Sequence, residues 1–290
     1  MSENPQSTKA ILKDSMNSDD VCEYCNEPLM REKIVISDDF VIEKPYTNSC
    51  VCEEGIAKFE SDMKEREMKE QEEKEEQERK LLWERTQRLN KYSGMGERLL
   101  QSTFDTFEPH ADYATKMLKG AKSYTEIFEQ NLPRRGMPLP IRNGIMFIGN
   151  MGTGKTHISA AIANNLISRG IKVICMSERG LLGKIRQSYS ERNVSEKEIL
   201  DTYLKVPLLV IDDLGKEKAT DWTLSTLYAI VDGRYEAVMP IVITTNYDPE
   251  SLISRLTPAG SDTTTAECIL DRLKQMCHTS VNDGESWRSK

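Results

Sequence analysis

The run Gly144-Ile145-Met146-Phe147-Ile148, followed at once by Gly149-Asn150-Met151-Gly152-Thr153-Gly154-Lys155-Thr156, decides the fold. An apolar strand, a glycine-rich turn and a helical pattern in direct succession make a phosphate cradle. Glycines let backbone N–H groups approach phosphate oxygens without a Cβ in the way, and the helix N-terminus behind them adds positive potential. Lys155 has the reach for β- and γ-phosphates, and the Thr156 hydroxyl is placed to ligate Mg²⁺. Two more segments complete the pattern. Leu208-Leu209-Val210-Ile211 ends in Asp212-Asp213, which fits a buried strand delivering Asp212 to the metal. Ile241-Val242-Ile243 ends in Thr244-Thr245-Asn246, polar residues that can face a γ-phosphate. Together they predict a bound nucleoside triphosphate with magnesium.

Working outward, strand and helix patterns alternate: strand 144–148, helix 155–169, strand 171–176, helix 179–190, a helix capped by Ser195 with Glu198, strand 207–211, helix 222–238 and strand 240–245. Such alternation means a parallel sheet covered on both faces, an α/β domain. Upstream, 111–132 places Met117, Leu118, Ala121, Tyr124, Ile127 and Phe128 at helical spacing, which predicts a core-facing helix. A loop rich in Pro, Gly and Arg, 133–142, leads into the first strand.

Composition limits the partners. The chain has 290 residues, 38% hydrophobic and 30% charged, with a net charge of −8. That charge argues against a protein coating nucleic acid by bulk electrostatics, so any DNA contact must come from a local basic patch. No run approaches the roughly 18 apolar residues of a membrane span, and residues 1–20 are polar without a secretory signal's apolar stretch. A cytoplasmic location and no membrane partner are expected. Seven cysteines then read as reduced thiols or metal ligands.

The first third is organised differently. Residues 1–20 read as a disordered lead, and 21–55 as a small module carrying Cys22, Cys25, Cys50 and Cys52 with two β-prone runs, Lys33-Ile34-Val35-Ile36 and Phe40-Val41-Ile42. Two close cysteine pairs can supply a tetrahedral zinc site at ~2.3 Å per sulfur, and a module this small lacks a proper core without one. An iron–sulfur cluster is the minor alternative. Cys175, Cys268 and Cys277 have no partner spacing and read as buried thiols. Residues 56–91 are dense in Glu, Lys, Arg and Gln, with acid-before-base pairs four apart such as Glu60–Lys64, Glu65–Lys69 and Glu76–Lys80. A long exposed helix is expected, each pair adding ~0.2–0.5 kcal/mol. It is a solvated spacer or, through Phe59, Met63, Leu81, Leu82 and Trp83, a partner-binding segment.

Asp213 can orient or deprotonate the attacking water, or be a structural carboxylate, since adjacent strand residues point opposite ways. Asn246 can hold that water or the γ-phosphate, or be a turn residue before Asp248-Pro249. No arginine lies in or near the three motifs. Arg272, on a short amphipathic helix, can serve a neighbouring subunit or form a surface salt bridge with Asp271 or Glu267. His157 reads as a packing residue.

Phe104-Asp105-Thr106-Phe107, Gly149 to His157, Asp212-Asp213-Leu214-Gly215, Arg234-Tyr235, Thr244-Thr245-Asn246 and Asp271-Arg272-Leu273 together resemble the bacterial DnaC/DnaI-type replicative helicase loaders, AAA+ ATPases similar also to IstB-type transposition helpers. The resemblance covers 92–280 and leaves 281–290 as a tail. It implies a five-stranded parallel sheet, Mg²⁺-ATP at the interface of a homo-oligomer, and Arg272 as an arginine finger acting in trans. It implies catalytic roles for Lys155, Asp213 and Asn246 too, and an N-terminal module gripping a DnaB-type ring helicase. In such loaders the region between the second strand and the acid-bearing strand contacts single-stranded DNA. Here that region offers Arg179, Lys184, Arg186, Arg192 and Tyr189, diluted by Glu178, Glu191 and Glu196. Cys268 stands where members often carry a second arginine, and 257–266 is a polar insertion. The 18 residues after Arg272 are too few for a helical lid, which suits a weak, switch-like ATPase. An IstB-type helper and a nucleotide-binding adapter without turnover are the alternatives.

Overall fold

A computed structural model describes residues 11–26, 28–37, 40–43, 52–134, 136–189 and 195–286. The chain divides into two units, Met1–Lys80 and Leu81–Lys290.

In the first unit, β1 (Ile11–Val21), β2 (Pro28–Ser37) and β3 (Phe40–Glu43) form an antiparallel sheet in the order β1-β2-β3. Both β-prone runs lie in β2 and β3. Strand β1 also occupies much of the stretch that composition marks as a lead. Helix α1 (Glu53–Ser93) follows, and the division between units falls within it. Its polar middle is exposed, and the Glu65–Lys69 pair closes at 2.6 Å. Leu81, Leu82 and Trp83 are exposed, whereas Leu89 and Ser93 near its end are buried.

The second unit is built on a five-stranded sheet. Its elements are α2 (Glu97–Leu100), α3 (Asp112–Glu126), β4 (Gly144–Gly149), α4 (Lys155–Ser168), β5 (Val173–Ser177), α5 (Glu178–Ser188), α6 (Glu196–Lys205), β6 (Leu208–Asp212), α7 (Asp221–Glu236), β7 (Ile241–Thr245), α8 (Pro249–Leu256), α9 (Thr264–Met276) and β8 (Cys277–Asn282). All strand pairs are parallel, in the order β5-β6-β7-β4-β8. The runs of β4, β5, β6 and β7 are contiguous and apolar because they are buried on both faces. One apolar cluster joins the sheet to α5, α7, α8 and α9, and the other joins it to α3 and α4. Among the described residues, no helix is long and apolar enough to cross a membrane.

Local signals hold where they are short-range. Ser195 and Glu198 close a reciprocal capping box, with N–H bonds of 2.8 and 3.2 Å. Three expectations need correction. Ile127 is exposed, because α3 ends at Glu126 and a 3₁₀ turn, Phe128–Asn131, carries the chain on. Cys268 is half-buried, unlike Cys175 and Cys277. The fifth strand, β8, runs past residue 280 to Asn282, where a tail was expected.

Arg234 is the largest fully buried side chain. Its guanidinium donates to the carbonyls of Tyr203 (2.6 Å), Leu204, Val206 (3.0 Å) and Pro240. The first three are at the end of α6, where a cation also meets the negative end of the helix dipole. Burial lowers its pKa to about 9, still charged at neutral pH.

Candidate functional site

Strand β7 lies between β6 and β4, so the three motif segments emerge side by side at one edge of the sheet. Ligands of open α/β sheets bind beyond the carboxyl ends of such strands. The lining of the cleft there includes Gly152, Gly154, Lys155, Thr156, Asp213, Asn246 and Lys216. Residues far apart in sequence are thus brought together as expected, apart from Arg272.

The cradle depends on glycine at two close approaches. Gly154 has φ 88°, and a Cβ there would sit 2.6 Å from the Phe107 ring. Gly149 has φ 145°, and a Cβ would lie 1.8 Å from the Asn282 carbonyl oxygen at the end of β8. Phe107 also meets the His157 ring edge-on at 5.3 Å, while His157 Nε2 lies 2.9 Å from the Thr103 carbonyl. His157 therefore ties the Phe104–Phe107 segment to the start of α4, a packing role. Met151 is exposed on the loop, and Asn150 bonds the carbonyls of Asp283 and Gly284 at 3.2 and 3.3 Å. Thr153 Oγ1 bonds the Asn150 carbonyl at 2.9 Å. Lys155 is buried, its ammonium 2.7 Å from the Gly149 carbonyl and 2.6 Å from that of Asn150.

The acid pair is clamped from β7. Thr244 Oγ1 donates to Asp212 Oδ1 at 2.6 Å and accepts the Asp213 N–H at 2.9 Å. Thr244 and Thr245 are fully buried, and Thr245 Oγ1 donates to the Leu214 carbonyl at 2.8 Å. These two threonines hold the acid strand rather than face a phosphate; Asn246 alone of the three lines the cleft. Asp212 is buried, which raises its carboxyl pKa, while hydrogen bonds from Thr244 and Thr156 pull the other way. The Thr156 hydroxyl and the buried Asp212 carboxylate, brought together at the cradle, form an oxygen donor set suited to Mg²⁺.

Asp213 escapes strand alternation by its backbone. Its φ is 58°, in the left-handed region that Asp tolerates better than most residues. The turn brings its carboxylate to the cleft, where Asn246 Nδ2 (3.3 Å) and Lys216 Nζ (3.0 Å) donate to its two oxygens.

Arg272 lies on α9, packed against α7. Its guanidinium pairs with Asp232 and donates to Tyr228 Oη at 3.3 Å, beside the rings of Tyr228 and Tyr235. The intrachain partner is Asp232, not Asp271 or Glu267. Sequence reasoning also missed Arg98 and Lys216, both lining the cleft. Lys216 follows the acid motif by three residues and could have been read as part of it; Arg98 carries no local signal.

Arg179, Lys184 and Arg186 on α5, and Tyr189 just after it, are exposed. Trp222, at the start of α7, gathers two of them: Arg186 lies over its ring at 4.5 Å, and its indole N–H donates to Tyr189 Oη at 3.0 Å. Glu196 accepts from Tyr189 Oη. Glu178 is buried and does not dilute this face. Arg192 lies outside the described residues, as does Glu191.

In the first unit, the sulfurs of Cys22, Cys25 and Cys52 all lie within 4.8 Å of one another. The Cys22–Cys52 separation is 3.7 Å. Sulfurs at ~2.3 Å around a tetrahedral zinc stand ~3.8 Å apart, so the spacing fits that ion. The Gly55 N–H donates to Cys52 Sγ at 3.3 Å, the kind of support that metal ligands receive. Cys50 lies outside the described residues.

The sequence model of a family described as IstB-like ATP binding protein matches residues 140–290. The replicative helicase loader DnaC of Buchnera aphidicola subsp. Acyrthosiphon pisum (strain APS) is 27% identical over 189 residues, spanning 65% of this chain and 69% of its own length. A crystal structure of DnaI superposes with TM-score 0.52 and 22% identity, over 67% of this chain and 94% of that one. A crystal structure of the DnaC helicase loader gives 0.51 and 24%, over 65% and 100%.

Proposed function

This chain belongs to the IstB-like ATP-binding protein family, with an AAA+ P-loop fold, and from that premise we propose that it is an ATP-switched loader of a DnaB-type ring helicase onto DNA. The observation that carries the nucleotide half is the convergence of Lys155, Thr156, Asp212, Asp213 and Asn246 at one sheet edge. The loader half rests on relatives named as replicative helicase loaders.

Backbone N–H groups of 149–156 and the Lys155 ammonium take the phosphates of ATP. Thr156 and Asp212 would hold Mg²⁺, which supplies charge neutralisation on the phosphate oxygens when bound. Asn246 orients the attacking water. Asp213 accepts its proton as the water oxygen bonds the γ-phosphorus and the bond to the bridging oxygen breaks, releasing ADP and phosphate. Arg272 of a neighbouring copy stabilises the charge that develops, so turnover needs self-assembly. The three thiols, with Cys50 as fourth ligand, would hold zinc, which when bound would give the first unit a fixed surface for the helicase. Arg179, Lys184, Arg186 and Tyr189 contact single-stranded DNA by charge and stacking.

Native mass spectrometry of the full chain with its host's ring helicase tests this reading. An ATP-dependent complex is expected, dispersing as ATP is hydrolysed. Absence of any complex in either nucleotide state overturns it. The family description favours one rival, an IstB-type helper, for which ATP would lengthen the footprint on duplex DNA instead.

A further inference from the structure

The loop after the acid strand is built around a carboxylate that no nucleotide motif contains. Glu178, the first residue of α5, is 2% exposed. One of its oxygens, Oε2, accepts three successive backbone N–H groups: Gly215 at 3.0 Å, Lys216 at 3.1 Å and Glu217 at 3.2 Å. Successive N–H groups turned inward in this way form a concavity that binds anions, and here the chain supplies its own. Gly215 makes the concavity possible. It has φ 89°, and a Cβ there would meet Leu252 at 2.8 Å. Burying a carboxylate is costly unless it is well bonded, and charge-assisted bonds of this kind offset that cost.

What the loop carries explains why such an anchor matters. Lys216 projects back to place its ammonium 3.0 Å from Asp213 Oδ2, and it lines the same cleft as Lys155, Thr156 and Asn246. As a surface ion pair it would add little stability. Its position is more informative: a cation beside both the proposed base and the phosphate cradle. Asp213 itself has φ 58°, a conformation that persists only when the surroundings fix it. Thr244 fixes it from β7, and the Glu178 anchor fixes the chain immediately after it.

We infer that Lys216 is a phosphate-contacting cation of this chain's own nucleotide site, and that Glu178 is the residue that positions it. This rests on the ATPase reading above. With a γ-phosphate in the cleft, the Lys216 ammonium moves from Asp213 to a phosphate oxygen, leaving Asp213 free to take the proton of the attacking water. The site then has a cation in cis beside any guanidinium a neighbour provides. Glu178 touches neither substrate nor water and acts only through the loop.

Steady-state phosphate release by the full chain, with nucleotide affinity measured separately, tests the inference. Lys216→Met lowers kcat about 10²-fold, and Glu178→Gln lowers it roughly ten- to hundred-fold with KM within about two-fold of wild type. In the Lys216→Met background, Glu178→Gln costs less than about two-fold more, because both act through one ammonium. Wild-type kcat in either single variant overturns the inference, and so does full additivity in the double variant. Should Glu178→Gln not fold, the exposed position 216 decides: loss in Lys216→Met restored by Lys216→Arg supports the cation, and equal rates in the two overturn it. A wild-type chain that binds ATP without turnover sinks the ATPase reading itself, a distinct result.

Discussion

The two units solve the problem of stability in different ways. In Leu81–Lys290, both apolar clusters, drawn from Leu89 to Cys277, surround a sheet whose central strands are buried on both faces. Three polar side chains of that interior are tied into it: Arg234 to four carbonyls, Thr244 to both acids, Glu178 to three N–H groups. In Met1–Lys80, neither apolar cluster takes a described residue, and separate described segments are tied by the meeting of Cys22, Cys25 and Cys52 and by the Lys58–Glu23 ion pair at 2.9 Å. Among the described residues, one region shows packing and hydrogen bonds, and the other shows three thiols spaced to share one ion. The candidate nucleotide site is lined by residues of Leu81–Lys290.

The sharpest break of that comparison is metal removal. A thiolate-selective chelator, or Cys22→Ser, should unfold the first unit, since structural zinc contributes ~10–16 kcal/mol to such modules. Hydrogen exchange should show protection lost across Pro28–Ser37, while ATP affinity stays within about two-fold. Loss of both together would contradict the division. Next in size is Arg272→Ala. If the guanidinium serves a neighbour, turnover falls about 10³-fold, and mixing with Lys155→Ala subunits restores part of it. If it serves only Asp232 and Tyr228 within the chain, mixing restores nothing and thermal stability alone falls. Arg234→Ala should cost on the order of 3 kcal/mol, because carbonyls of α6 and Pro240 lose their donor in a dry interior. That is roughly 6–12 °C in the Tm of the nucleotide-binding unit by calorimetry; an unchanged Tm would remove Arg234 from the account. The smallest effect is Trp222→Ala, which frees Arg186 and Tyr189 and should weaken single-stranded DNA binding about tenfold in a fluorescence titration. Equal affinities would mean that this face is not the DNA contact.

Legibility in the sequence follows the same divide between local and distant causes. The cradle, the apolar strands and the Ser195–Glu198 cap are written in neighbouring residues, so position and type can be read directly. Strand β8 is not: Cys277-His278-Thr279-Ser280-Val281-Asn282 has no apolar run, because its middle residues are not buried, unlike those of the other outer strand, β5. Asp213 faces the cleft through a left-handed φ that alternation arguments do not anticipate. Glu178 looks like one more surface acid next to Arg179 until the loop from β6 arrives to satisfy it. Arg98 sits in a four-residue helix with no motif around it. Arg272 finds Asp232, forty positions away, on a face of α7 that its own helix pattern does not reveal.

Equilibrium titration of the full chain with labelled ATP, with and without Mg²⁺, tests the central claim most directly. The account predicts saturable binding that tightens with Mg²⁺, loses that gain in Thr156→Val, and weakens at least about 10²-fold in Lys155→Ala. Binding of equal strength in the wild-type chain and Lys155→Ala would contradict it.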